Sequence, residues 1–160
     1  MRLTLIGVGR LKSGPERELF ERYFKRLGDL ARSLGLAGVE LREIDEGRAR
    51  RPEDRRAEEA RAILSAVPKG AWLTLLDERG ATIASAQWAA DIAKAREAAA
   101  PAYVVAIGGP DGFDPALRDQ ARAAIAFGAL TWPQQLARIM AAEQLYRALS
   151  ILGGRPYHRA

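Results

Sequence analysis

An α/β fold, with a mostly parallel sheet flanked by helices, is predicted by two features of this 160-residue chain. Strand and helix signals alternate along it, and strands separated by helices pair in parallel because parallel strands need a crossover. Two of the strand segments, 71–76 and 102–107, are near-continuous apolar runs without clean alternation. Strands covered on both faces have that composition.

Arg2 to Val8 reads as the first strand, a short apolar run. Gly9 to Gly14 make a loop, and Pro15 suits the first turn of a helix, where an N–H would be unpaired in any case. Phe20, Tyr23, Phe24, Leu27, Leu30 and Leu34 recur at three- and four-residue steps, one face of an amphipathic helix, which Gly35 and Gly38 end. Val39, Leu41 and Ile44 mark a second strand. The segment 45–56 is the most polar of the chain and is expected to be an exposed, mobile loop. Pro52 opens a helix through about Val67. Ala71 to Leu76 is a third strand, stopped by Asp77-Glu78-Arg79-Gly80. Ser85 caps an alanine-rich helix through about Ala99. Ala102 to Ile107 is a fourth strand. Asp114 caps a helix with Pro115 at its first position. Ile125 to Leu130 holds a fifth short strand, and a last helix runs from about Gln134 to Leu152. With no repeat and no linker, one domain over 1–160 is expected.

The net charge of +5 favours an anionic partner, of which nucleic acid is the commonest. Arginine outnumbers lysine 21 to 4, which a GC-rich genome explains equally well. The chain has no cysteine and one histidine. Disulfides, thiolate metal sites and a histidine cluster are thereby excluded, and no metal is expected. No stretch approaches the ~20 apolar residues of a membrane span, so no membrane association and a cytoplasmic location are expected.

Two phosphate motifs fail. Gly7-Val8-Gly9 follows the first strand like a dinucleotide turn, but Lys12 stands at the third glycine position; Gly9 and Gly14 have P-loop spacing, but Pro15 occupies the lysine position. Two segments survive. Gly108-Gly109-Pro110-Asp111-Gly112-Phe113 lies between the most apolar strand and a capped helix, where glycines let backbone approach a ligand and leave amides free to bind it. Alone, it reads equally well as a tight turn. Phe127-Gly128-Ala129-Leu130-Thr131-Trp132-Pro133 is apolar, broken by glycine and closed by proline. Alone, it is an ordinary buried strand and turn. Ligands of parallel sheets bind beyond the carboxyl ends of the strands, which directs attention to the loops after Leu76, Ile107 and Leu130.

In this order, Ile107-Gly108-Gly109-Pro110-Asp111-Gly112, Ala129-Leu130-Thr131-Trp132-Pro133, Ala142-Glu143-Gln144-Leu145-Tyr146-Arg147-Ala148 and Pro156-Tyr157-His158-Arg159 resemble the large-subunit ribosomal RNA methyltransferase H family of knotted SPOUT methyltransferases. The resemblance covers the whole chain. It departs at Trp132, where a smaller aliphatic residue is common, and in the alanine-rich middle helix. It implies a C-terminal trefoil knot, which ordinary topology rules would not suggest. It implies methylation of a 23S pseudouridine at ring N3, with S-adenosyl-L-methionine as donor and ribosomal RNA or the ribosome as partner. By position, Leu76, Gly108 and the run Phe127, Gly128, Ala129, Leu130, Thr131 and Trp132 would hold the donor. Arg147 and Tyr157 would meet the substrate, although Glu143 and Arg147 at four-residue spacing are by default an ion pair on the helix surface. His158 and Arg159 are the candidate catalytic residues. A homodimer is expected, because one small subunit offers little surface to a folded RNA and the last helix is apolar on more than one side. A non-catalytic basic protein that binds RNA or ribosomes is the alternative.

Overall fold

The computed structural model describes residues 1–158. Five strands, β1 (Arg2–Val8), β2 (Val39–Ile44), β3 (Trp72–Thr82), β4 (Ala102–Ile107) and β5 (Ala123–Ala126), form one sheet in the order β2-β1-β4-β3-β5. Every pairing is parallel. The crossovers are α1 (Pro15–Ser33), α2 (Pro52–Ala66), α3 (Ser85–Glu97) and α4 (Pro115–Gln120), and α5 (Gln134–Leu152) follows the last strand.

The two-residue period of the strands divides the core. Leu3, Leu5, Tyr103, Val105 and Ile107 point to the layer of α1, α3 and α5; Ile6, Val8, Leu73, Leu75, Val104 and Ala106 point to α2 and α4 through Ile63, Phe113 and Leu117. Covering both faces explains why β4 is buried along its whole length and reads as an unbroken apolar run. Each fully buried aliphatic side chain contributes roughly 1.5–3 kcal/mol.

Four expectations change. β3 does not stop at Leu76. It pairs with β5 at Thr74 to Leu76, bulges over Asp77–Gly80, and pairs again at Ala81 and Thr82. Gly80 permits this, since a Cβ there would stand 2.5 Å from the Ile125 backbone nitrogen. β5 accordingly lies at Ala123–Ala126, and Ala129–Pro133 is an exposed loop instead of buried strand. Ser85 is the first residue of α3 and bonds Gln144 on α5; the Ala84 amide at the helix start is satisfied by Gln87. The 45–51 loop is tied to α2: Gly47 donates to Glu59, Arg48 donates to Glu58, and Arg55 donates to the Ala49 and Arg50 carbonyls.

The apolar sides of α5 find partners in α1 and α3; Leu136 and Leu152 stay exposed. Its first turn reaches back over the sheet. Gln134 donates to the Val8 and Gly108 carbonyls, and the fully buried Arg138 donates to the Val8 and Gly9 carbonyls and to Glu43.

Candidate functional site

A cleft of about 790 Å³ opens beyond the carboxyl ends of β4 and β5 and over the bulge of β3 at Leu76–Arg79, and is closed below by the first turn of α5. Of the residues assigned to a methyl donor, Leu76, Gly108, Phe127, Gly128, Leu130, Thr131 and Trp132 line it; Ala129 is exposed and is not part of the lining. Gly112 and Gly128 sit at φ +78 and +92, where a side chain would strain the backbone, so both rims turn sharply and present main chain to the cavity. Behind Gly108 the Phe113 ring is so close that a Cβ would lie 3.2 Å from it. The 127–133 rim is folded on itself: the Trp132 indole donates to the Phe127 carbonyl at 3.1 Å and the Thr131 hydroxyl donates to Glu78 at 3.0 Å. Leu130 is nevertheless 70% exposed, an apolar residue at the cavity mouth.

Polar groups converge at one end. Asp77, buried at the end of the regular part of β3, faces Arg118 with Nη2 2.7 Å from Oδ2. That contact is poorly aligned, and Oδ2 has no hydrogen bond among the described residues. Its other oxygen accepts the Arg79 amide. Arg10 and Lys12 stand at the opposite rim, cations suited to a phosphate backbone.

The residues assigned to the substrate gather elsewhere. Glu143 Oε1 accepts from Arg147 Nη2 at 2.5 Å and from the Tyr157 hydroxyl at 2.9 Å. The Arg147 guanidinium lies 4.9 Å from the Tyr157 ring centroid, and Tyr146 meets that ring edge-on at 4.7 Å. Burial, then the Glu143 carboxylate, push the Tyr157 hydroxyl's pKa up, and Glu143 raises that of Arg147. Beside them a more open hollow of about 600 Å³ lies between α1 and the tail; it contains neither glycine loop. His158 is half-buried, and its Nδ1 has no partner among the described residues. Arg159 lies outside the described residues.

A family model described as predicted SPOUT methyltransferase matches residues 1–158. The chain is 52% identical over 160 residues, all of both chains, to the ribosomal RNA large subunit methyltransferase H of Rhodopseudomonas palustris strain HaA2. It is 52% identical over 159 residues, 99% of each, to that of Methylocella silvestris. The chain belongs to the ribosomal RNA large subunit methyltransferase H family.

Among solved structures, the SpoU methyltransferase AviRb from Streptomyces viridochromogenes in complex with AdoMet overlaps 90% of this chain but only 56% of its own, at 12% identity and TM-score 0.38. Two residues that line the cleft, Gln134 and Asp77, and two that stand behind it, Arg138 and Glu59, were not singled out in the sequence. An arginine in the middle of an apolar helical segment was the one available signal for Arg138, because a solvated arginine has no reason to stand there. Asp77 and Glu59 each stand beside other charged residues, which makes them indistinguishable from a turn and a solvated helix face.

Proposed function

We propose that this protein transfers a methyl group from S-adenosyl-L-methionine to ring N3 of a pseudouridine in 23S ribosomal RNA, working as a cytoplasmic homodimer with the C-terminal knot of its family. One observation carries the reading: both glycine-bearing loops of the family's motifs meet at a single cleft. Its volume falls in the roughly 300–1,000 Å³ range of small-molecule sites.

The chemistry of the lining fits the donor. Leu76, Ile107 and Phe127 offer an apolar wall to an adenine, and the 108–112 and 127–132 loops offer main-chain donors and acceptors. S-adenosylmethionine supplies a methyl carbon already activated by its sulfonium. The protein's part is alignment, which supplies up to ~7–11 kcal/mol, and removal of the N3 proton, at ~1.4 kcal/mol per pKa unit above neutral. As the proton leaves, the nitrogen lone pair bonds the methyl carbon and the carbon–sulfur pair returns to sulfur. His158 and Arg159 are the residues proposed to ease that proton's loss, and Arg147 and Tyr157 to hold the RNA.

Geometry within one chain supports the homodimer. The cleft meets α5 at Gln134, Gln135 and Ala137, whereas Arg147 lies ten residues further along the helix, about 15 Å at the helical rise. A partner's tail covering the exposed Leu130 and Trp132 would bring both halves together. The folding of α5 back to the ends of β1 and β4, through Gln134 and Arg138, supports the knot.

Calorimetry with S-adenosylmethionine, run beside tritiated methyl incorporation into ribosomes, tests the reading. A methyltransferase binds the donor and labels the RNA. A basic RNA-binding protein without catalysis would give no heat with the donor and no label.

A further inference from the structure

One buried carboxylate stands directly behind the cleft and has no part in the methyl transfer. Glu59 on α2 is 4% exposed. Its Oε1 accepts the Gly47 amide at 2.9 Å. Its Oε2 lies so close to Gly109 that a Cβ there would be 2.9 Å away. Burial raises the carboxyl's pKa, while the Gly47 and Gly109 amides pull it back toward the charged form. A buried carboxylate is tolerated only when its oxygens are bonded; Oε1 takes its hydrogen bond from the Gly47 loop, while Oε2 packs against Gly109 of the other loop.

The rest of α2 makes the same connection. Glu58 accepts the Arg48 amide at 2.8 Å. Arg55, one turn before Glu59, grips Asp111 through Nε at 2.6 Å and Nη2 at 3.1 Å, while its Nη1 donates to the Ala49 and Arg50 carbonyls. Gly47 leaves no room for a side chain, since its Cβ would stand 2.7 Å from the Arg55 Cα. α2 thus holds the 108–112 glycine loop at one side and, at the other, the loop that carries Arg48, Arg50 and Arg51. The Arg55–Asp111 pair is partly exposed, so solvent can replace it. At Glu59 there is no solvent to do so.

We propose that Glu59 is a positioning residue that ties the cleft's glycine loop to the arginine-bearing 45–51 loop, so that placement of the methyl donor and docking of the RNA are set by one buried carboxylate. This rests on the methyltransferase reading. Glutamine is the informative replacement. It keeps the length and one acceptor oxygen but turns an NH₂ group toward the second amide, loosening one tie without opening a cavity.

Full-length Glu59→Gln and Glu59→Ala proteins are compared with the unaltered chain by thermal melting, donor calorimetry, and steady-state methylation of ribosomes. Glu59→Gln should remain folded and raise the donor Kd about tenfold. It should raise KM for ribosomes severalfold, and leave kcat near normal when both are saturating. A role in stability alone would lower the melting temperature and leave Kd and KM of the folded protein unchanged, which overturns the proposal; a changed Kd with an unchanged KM overturns the tie between the loops. Hydrogen exchange at the Gly47 and Gly109 amides is independent of any ligand. The one that faces the new NH₂ group should accelerate in Glu59→Gln, and unchanged exchange at both overturns the proposal. If the unaltered protein gives no heat with the donor, the methyltransferase reading fails while the exchange result still decides the role of Glu59. Should Glu59→Ala not fold, the Glu59→Gln measurements decide between these outcomes by themselves.

Discussion

Arg138 is a guanidinium with no solvent exposure, and its surroundings explain how that is tolerated. Two carbonyls at the end of β1 accept from Nη2 at 2.7 and 2.6 Å, and Glu43 accepts from Nη1 at 2.9 Å. Burial pushes its pKa down and Glu43 opposes this. Gly7 has no Cβ because one would lie 2.5 Å from the guanidinium carbon. Arg138→Met should therefore cost ~1–3 kcal/mol, since it removes charge-assisted bonds to the Val8 and Gly9 carbonyls while Glu43 keeps solvent and the Leu11 amide; urea melts measure it, and no loss beyond a few tenths of a kcal/mol would mean the network is dispensable. Gly108→Val acts on the cleft. Its branched side chain must displace the buried Phe113 ring or enter the cavity, so donor affinity should fall more than tenfold while circular dichroism reports a folded protein. An unchanged calorimetric Kd would remove Gly108 from the site. Of these residues, sequence identified Gly108 from its place after an apolar strand. It did not identify Glu43 and the Val8 and Gly9 carbonyls as partners of Arg138, since they lie 95 to 130 positions away in the chain.

The tail as an element behaves differently from its composition. Gly153 and Gly154 suggest a segment uncoupled from α5. Instead, the Arg155 amide bonds the Ser150 carbonyl, and Tyr157 folds back onto Tyr146, Arg147 and Glu143. Deleting residues 155–160 should consequently destabilise the fold by ~1–2 kcal/mol, from an edge-on aromatic pair and a hydrogen bond to a carboxylate at a partly exposed site. Donor affinity should stay unchanged, because the cleft lies about 15 Å away along the helix, and methyl incorporation into ribosomes should be lost. Tyr157→Phe isolates the hydroxyl: most of the aromatic contribution should survive, and melts of the two proteins separate the terms. Near-normal incorporation by the truncated chain would leave RNA recognition to the 45–51 loop alone. β3 and β5 teach the same lesson. Asp77 to Gly80 looks like a stop by local polarity, yet the strand resumes because β5 offers a second stretch of backbone to pair with.

At the scale of the whole molecule, a cleft at one end of α5 and a substrate cluster at the other make a self-sufficient monomer geometrically awkward. Light scattering at micromolar concentration should show a dimer. Mixing Gly108→Val chains with chains lacking 155–160, each inactive alone, should restore part of the activity through mixed dimers that keep one intact cleft beside one intact tail. A fully active monomer, or no recovery on mixing, defeats the shared site. The α/β class, the order of ten elements and most of their ends were legible in sequence, because hydrophobic period, proline at first turns and the Asp114 cap act within a few residues of one another. The family was legible too, since its motifs are short and contiguous. Tertiary structure alone decided how far β3 and β5 extend, that Arg138 is buried, that Glu59 and Arg55 hold the glycine loop, and that Tyr157 lies against α5. Each of these depends on backbone or charge partners distant in the chain, and a partner brought close only by folding leaves no periodic mark on the segment that needs it.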